Sequence, residues 1–167
     1  SALGTQNTST GLASFASGKL CSATGSYSVA MGYNCTASAS YSFAFGQSTI
    51  ASQIYAFSLG KYSESTSAAA FSLGTYLKAS DQYSMVIGKG YQYSNRLENN
   101  IQNSLMVGFN STYPTFFIES SPGNLKTGNI GIGNITAPEA KLHILGDNDA
   151  SRPDNASLYI QSAGNYY

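Results

Sequence analysis

The chain has 167 residues, with eight Lys/Arg against eight Asp/Glu and a net charge of zero. Charged residues make up 10% of it, where ordinary globular domains carry about 25%, so partners recognised by bulk charge, such as nucleic acid or an acidic membrane, have no support. No apolar run approaches the ~18 residues needed to span a bilayer, and no membrane insertion is expected.

The chain opens inside a repeat, at Ser1-Ala2-Leu3-Gly4, and no signal peptide is visible, so it reads as a piece of something longer. From there Gly4, Gly18, Gly32, Gly46, Gly60, Gly74 and Gly88 fall fourteen residues apart without slipping. A fixed period means that each repeat is one structural unit stacked on the next. Each glycine closes an alternating run such as Ser42-Phe43-Ala44-Phe45-Gly46. Tyrosine stands before the run at Tyr27, Tyr41, Tyr55 and Tyr83. A column of small residues, Ser9, Ala23, Ala37, Ala51, Ser65 and Ala79, lies in the other half of the repeat. Fourteen residues are too few for a helix pair or a propeller blade. They suit one coil of a parallel β-solenoid, an all-β fold, whose strands stack roughly 4.8 Å apart.

Strand alternation sorts the residues by face. Ser42 and Ala44 share one face, Phe43 and Phe45 the other. So short a coil encloses a narrow interior that admits Ala, Ser and Gly. The large ladder, Phe15, Val29, Met31, Phe43, Phe45, Phe57, Leu59, Phe71, Leu73, Met85 and Ile87, must then point outward. An apolar stripe of that length exceeds what a soluble monomer exposes. Packing against copies of itself around a common axis resolves the conflict, and self-association, as a homotrimer or another oligomer, is the expected partnership. The alternative is a monomer with a wider lumen that takes the ladder in.

The S-x-A-x-G repeat at this spacing resembles the head repeats of YadA-like trimeric autotransporter adhesins. The resemblance covers residues 1–88 and extends to 108. It implies a left-handed parallel β-roll with three chains side by side, exposed at a cell surface. No heptad stalk, neck motif or anchor strand of that family follows.

The ruler breaks after Gly88, and the next run, Ser104-Leu105-Met106-Val107-Gly108, closes twenty residues later. The sequence therefore divides into a β-solenoid region at 1–108, with an irregular insertion at about 89–103, and a C-terminal β region at 109–167. A short strand, Thr115 to Ile118, lies between Pro114 and Pro122. Gly128-Asn129-Ile130-Gly131-Ile132-Gly133, then Pro138 and Lys141-Leu142-His143-Ile144, is similar to a segment of tail-fibre and tail-spike proteins. In those proteins it precedes an intramolecular chaperone of the endosialidase type, which trimerises the fibre. A final alternating strand is expected at Ser157 to Ser162.

Catalytic and metal chemistry finds little footing. Cys21 and Cys35 share a phase of adjacent coils, so their Cα atoms would stand about 5 Å apart, within disulfide range. The competing reading is two small apolar rungs with parallel Cβ vectors. His143 has no partnered nucleophile. Asp147, Asp149 and Asp154 lack the Gly and distal Glu of a calcium loop. Glu119 and Glu139 could serve glycoside hydrolysis only if the fold paired them. The glycine run lacks nucleotide-binding spacing, and no cofactor is expected. Asn-x-Ser/Thr sequons at Asn7, Asn34, Asn110, Asn134 and Asn155 are a weak hint of glycosylation. Loops that interrupt a rigid scaffold are where recognition concentrates, so Tyr91, Tyr93 and Tyr113 are candidate contacts for a glycan or receptor. The expectation is a non-enzymatic, structural and adhesive fibre segment, from a phage or virus tail fibre or similar appendage. The alternatives are a bacterial adhesin head and a polysaccharide-degrading tail spike.

Overall fold

The computed structural model describes residues 1–145, and among them the chain forms strands and no helix. Long and short strands alternate: β1 (Ala2–Thr5), β2 (Thr8–Ser9), β3 (Phe15–Lys19), β4 (Ser22–Ala23), β5 (Val29–Tyr33), β6 (Thr36–Ala37), β7 (Phe43–Gln47), β8 (Ile50–Ala51), β9 (Phe57–Lys61), β10 (Glu64–Ser65), β11 (Phe71–Thr75), β12 (Leu77–Ala79), β13 (Met85–Lys89), β14 (Leu97–Asn99) and β15 (Leu105–Phe109). Three more strands follow, β16 (Phe116–Ile118), β17 (Ile130–Ile132) and β18 (Leu142–Ile144).

Up to β13 each long strand pairs in parallel with the next at a register of fourteen. Phe43 lies opposite Phe57, and Gly46 opposite Gly60. The short strands do the same in a second sheet, where Glu64 lies between Ile50 and Lys78. The chain is a β-solenoid of 14-residue coils.

Two corners turn each coil, both in the left-handed region. One is Tyr27 (φ 58), Tyr41 (φ 58) and Tyr55 (φ 58); the other is Asn34 (φ 55), Ser48 (φ 53) and Tyr62 (φ 52). Such a backbone costs an L-residue about 1–2 kcal/mol. It is held by hydrogen bonds to the preceding coil, Tyr41 N–H to Ser26 O (2.9 Å) and Asn34 N–H to Lys19 O (2.9 Å). Serine closes the first corner from inside: Ser28 Oγ donates to Gly25 O (2.7 Å) and Ser42 Oγ to Ala39 O (2.6 Å). The glycine column is required sterically. At Gly46 φ is +126, and a Cβ would sit 1.9 Å from Gly60 O.

Ala16, Ala30, Ala44 and Val86 from the long strands meet Ala23, Ala37, Ala51 and Ala79 from the short ones, all with no exposure. Where serine replaces alanine, the hydroxyls bond one another. Ser72 Oγ lies 3.0 Å from Ser58 Oγ and 2.9 Å from Ser65 Oγ, which satisfies groups that burial would otherwise penalise. The small interior and outward ladder are as the alternation predicts.

The insertion is shorter than the 89–103 expected. Gly90 N–H still makes the normal corner bond to Thr75 O (2.9 Å). Leu97 lies opposite Leu77 and Asn99 opposite Ala79, so the regular coil resumes at β14 and the six extra residues are 91–96. The charge of Glu98 obscured this: it faces outward between buried Leu97 and Asn99.

The parallel stack ends with a reversal. β16 runs antiparallel to β15 and β17 antiparallel to β16, while β18 pairs in parallel with β17. Phe117, fully buried with Leu97 and Met106, plugs the open end of the stack. The expected strand at Ser157 to Ser162, the Asp147, Asp149 and Asp154 loop and the Asn155 sequon lie outside the described residues.

Candidate functional site

Register aligns the outward side chains of the long strands into two columns. Phe15, Val29, Phe43, Phe57, Phe71, Met85 and Leu105 form one; Ser17, Met31, Phe45, Leu59, Leu73, Ile87 and Val107 form the other. Phe43, Phe57 and Phe71 stack face to face at 4.8 and 4.9 Å. Neighbours in the column shield these rings from above and below, yet Phe45 keeps 40% exposure and Met85 38%. Leu105 and Val107 extend the ladder past the residues named from sequence, because the register survives the insertion.

The second sheet presents a different face. Its outward column runs Thr36, Ile50, Glu64, Lys78 and Glu98. The insertion folds over this column. Arg96 pairs with Glu64 at 2.7 Å, and Lys78 with Glu98 at 2.9 Å. The Arg96 guanidinium stands 4.3 Å from the Tyr93 ring centroid. Tyr93 meets Tyr62 edge-on at 5.3 Å, and Tyr62 stacks on Tyr76 at 5.7 Å. Burial alone would push the Glu98 carboxyl up. Hydrogen bonds from Lys78 and Ser80 and the charges of Lys78 and Arg96 outweigh it and hold the group below the usual range.

Two grooves flank Tyr93. One, of about 650 Å³, is lined by Glu64, Lys78, Tyr93, Ser94, Asn95, Arg96, Glu98 and Thr112. The other, of about 340 Å³, runs along Asn34, Thr36, Ser48, Ile50, Tyr62, Glu64 and Tyr93. Sequence reasoning singled out Tyr93 but missed Tyr62, Glu64 and Lys78. The signal was present: all three sit at fixed offsets from the glycine ruler. Only the fold of residues 91–96 could join them to Arg96.

Tyr91 and Tyr113 are exposed, and Tyr113 lines a separate groove with Pro114 and Asn134. Cys21 and Cys35 are buried free thiols. Cys35 Sγ donates to Met31 O (3.1 Å), and burial pushes the Cys21 thiol up. His143 Nδ1 accepts from Glu139 N–H at 3.3 Å. Glu119 accepts from Asn129 Nδ2 at 3.0 Å.

Residues 23–49 and 37–63 match the family model described as the YadA head domain repeat, in two copies. Residues 23–63 thus carry two YadA head repeats. The matched head repeats are coils of the parallel stack, and the same register runs beyond them on both sides, from β1 through β13. Head repeats stacked in a β-solenoid fit an adhesin-type fibre segment. No curated protein and no solved structure matches the chain.

Proposed function

We propose that the chain is a homotrimeric, non-enzymatic adhesive segment of an extracellular fibre. The observation that carries this reading is the double apolar column on the long-strand face, Phe43, Phe45, Phe57 and their counterparts, which stays part-exposed in the isolated chain. Burying a large apolar side chain contributes about 1.5–3 kcal/mol, and each coil supplies one or two. Three copies meeting at an axis would bury both columns while leaving the short-strand sheets outward. The adhesin-head reading draws on the matched repeats. The tail-fibre reading draws on the Gly128–Gly133 and Lys141–Ile144 segment, which lies on the sheet as β17 and β18. We favour a phage or virus tail fibre or similar appendage.

The test is oligomeric state. By analytical ultracentrifugation the chain is expected to sediment as a trimer. Phe45→Asp, which would place three unpaired carboxylates at the axis, is expected to dissociate or misassemble it. A wild-type monomer, or a Phe45→Asp trimer of unchanged thermal stability, would refute the proposal.

A further inference from the structure

We infer that the short-strand face carries a binding groove for an uncharged oligosaccharide, centred on Tyr93. The inference rests on the adhesive reading but not on the oligomer.

Three observations converge. The first is location. The Ala-lined interior separates the two sheets, so their outward faces point away from each other. The groove thus stays open when the Phe columns are covered. Its column from Thr36 to Glu98 crosses five successive coils. At about 4.8 Å per step that is a straight run of about 19 Å, long enough for a chain of several sugar rings.

The second is chemistry. Tyr93 is 57% exposed, standing between the two grooves with its ring braced by Tyr62 at the edge and Arg96 against it. A fixed aromatic face offers a pyranose ring an apolar platform at little entropic cost. Around it stand carboxylates, a guanidinium, an ammonium and the amide and hydroxyl of Asn95 and Ser94. These are paired donors and acceptors of the kind vicinal hydroxyls require.

The third is charge. Both ion pairs found among the described residues lie here, in a chain with so few charged residues. Each cation already holds a carboxylate, so the groove sums to zero. An acidic glycan would need an unpaired cation, and none of the two is free. A neutral one needs only the hydrogen-bonding edges that the ion pairs hold in place.

The experiment uses the full chain on immobilised neutral, sialylated and sulfated oligosaccharides and on extended peptides. Retention by neutral oligosaccharides is expected, weakened about tenfold or more in Tyr93→Ala and kept in Tyr93→Phe and Tyr113→Ala. Melting and sedimentation of each variant are measured alongside, to separate lost contact from lost fold. Retention only of acidic glycans, only of peptides or of nothing would overturn the inference. So would equal binding by Tyr93→Ala. A monomeric chain that still holds neutral glycans through Tyr93 would sink the trimer and leave the groove standing.

Discussion

Gly46→Ala tests the coil itself. The new Cβ would lie 1.9 Å from Gly60 O, well inside contact distance, and that atom is backbone, so it cannot swing aside. A φ of +126 costs an alanine about 1–3 kcal/mol. Lifting coil from coil at this crossing weakens one or two ladder hydrogen bonds, each worth about 1 kcal/mol net. The sum is about 2–5 kcal/mol. For a chain of this size each kcal/mol moves Tm by about 2–4 °C, so a fall of about 4–20 °C is expected by circular dichroism. Gly123→Ala is the control, since nothing lies within 4 Å of its Cβ position, and it should melt with the parent. If Gly46→Ala melts within 2–3 °C (about 1 kcal/mol) of Gly123→Ala, the claim that stacked backbone excludes every side chain from this column is wrong.

Two further substitutions probe the interior and the corners. Thr49 Oγ1 is buried with no hydrogen-bond partner, so Thr49→Val should stabilise the chain by about 1–2 kcal/mol, read as a higher denaturant midpoint; a lower midpoint would mean that the hydroxyl is satisfied. Ala69 interrupts the corner ladder in which Tyr27, Tyr41 and Tyr55 stack at 5.1 and 5.2 Å, so Ala69→Tyr should bridge Tyr55 to Tyr83. It would add about 0.5–1.5 kcal/mol per new ring pair, and a Tm at or below the parent's would contradict that.

Most of the fold could be read from the sequence, because one register governs it. A strict period leaves Phe57 nowhere to go but opposite Phe43, and alternation forces Ala44 inward wherever Phe45 points out. The corners were harder. Tyr41 in the left-handed region defies local preference; a hydrogen bond to the neighbouring coil and the Ser42 hydroxyl that closes the same corner hold it there. The groove was half visible. Glu64 and Lys78 occupy one phase of the ruler and could have been paired by it. Arg96 reaches Glu64 from thirty-two positions away through a loop with no period, and no spacing rule predicts that contact. The reversal at β16 was equally hidden, since Thr115 to Ile118 reads as a strand of either direction until Phe117 finds the open end of the stack.

That reversal makes length an adjustable quantity. β16, which carries Phe117, pairs with β15 at one end of the stack, and each coil between β1 and β13 meets its neighbours through the same register. Duplicating or deleting fourteen residues within that run would lengthen or shorten the rod by about 4.8 Å and keep the backbone register on both sides of the join. An insertion that is not a multiple of fourteen must loop its surplus out of the stack, as residues 91–96 do, for the glycine column to stay in register. Reach thus becomes heritable in whole steps, and on the proposed fibre reading the rod can be tuned for distance coil by coil.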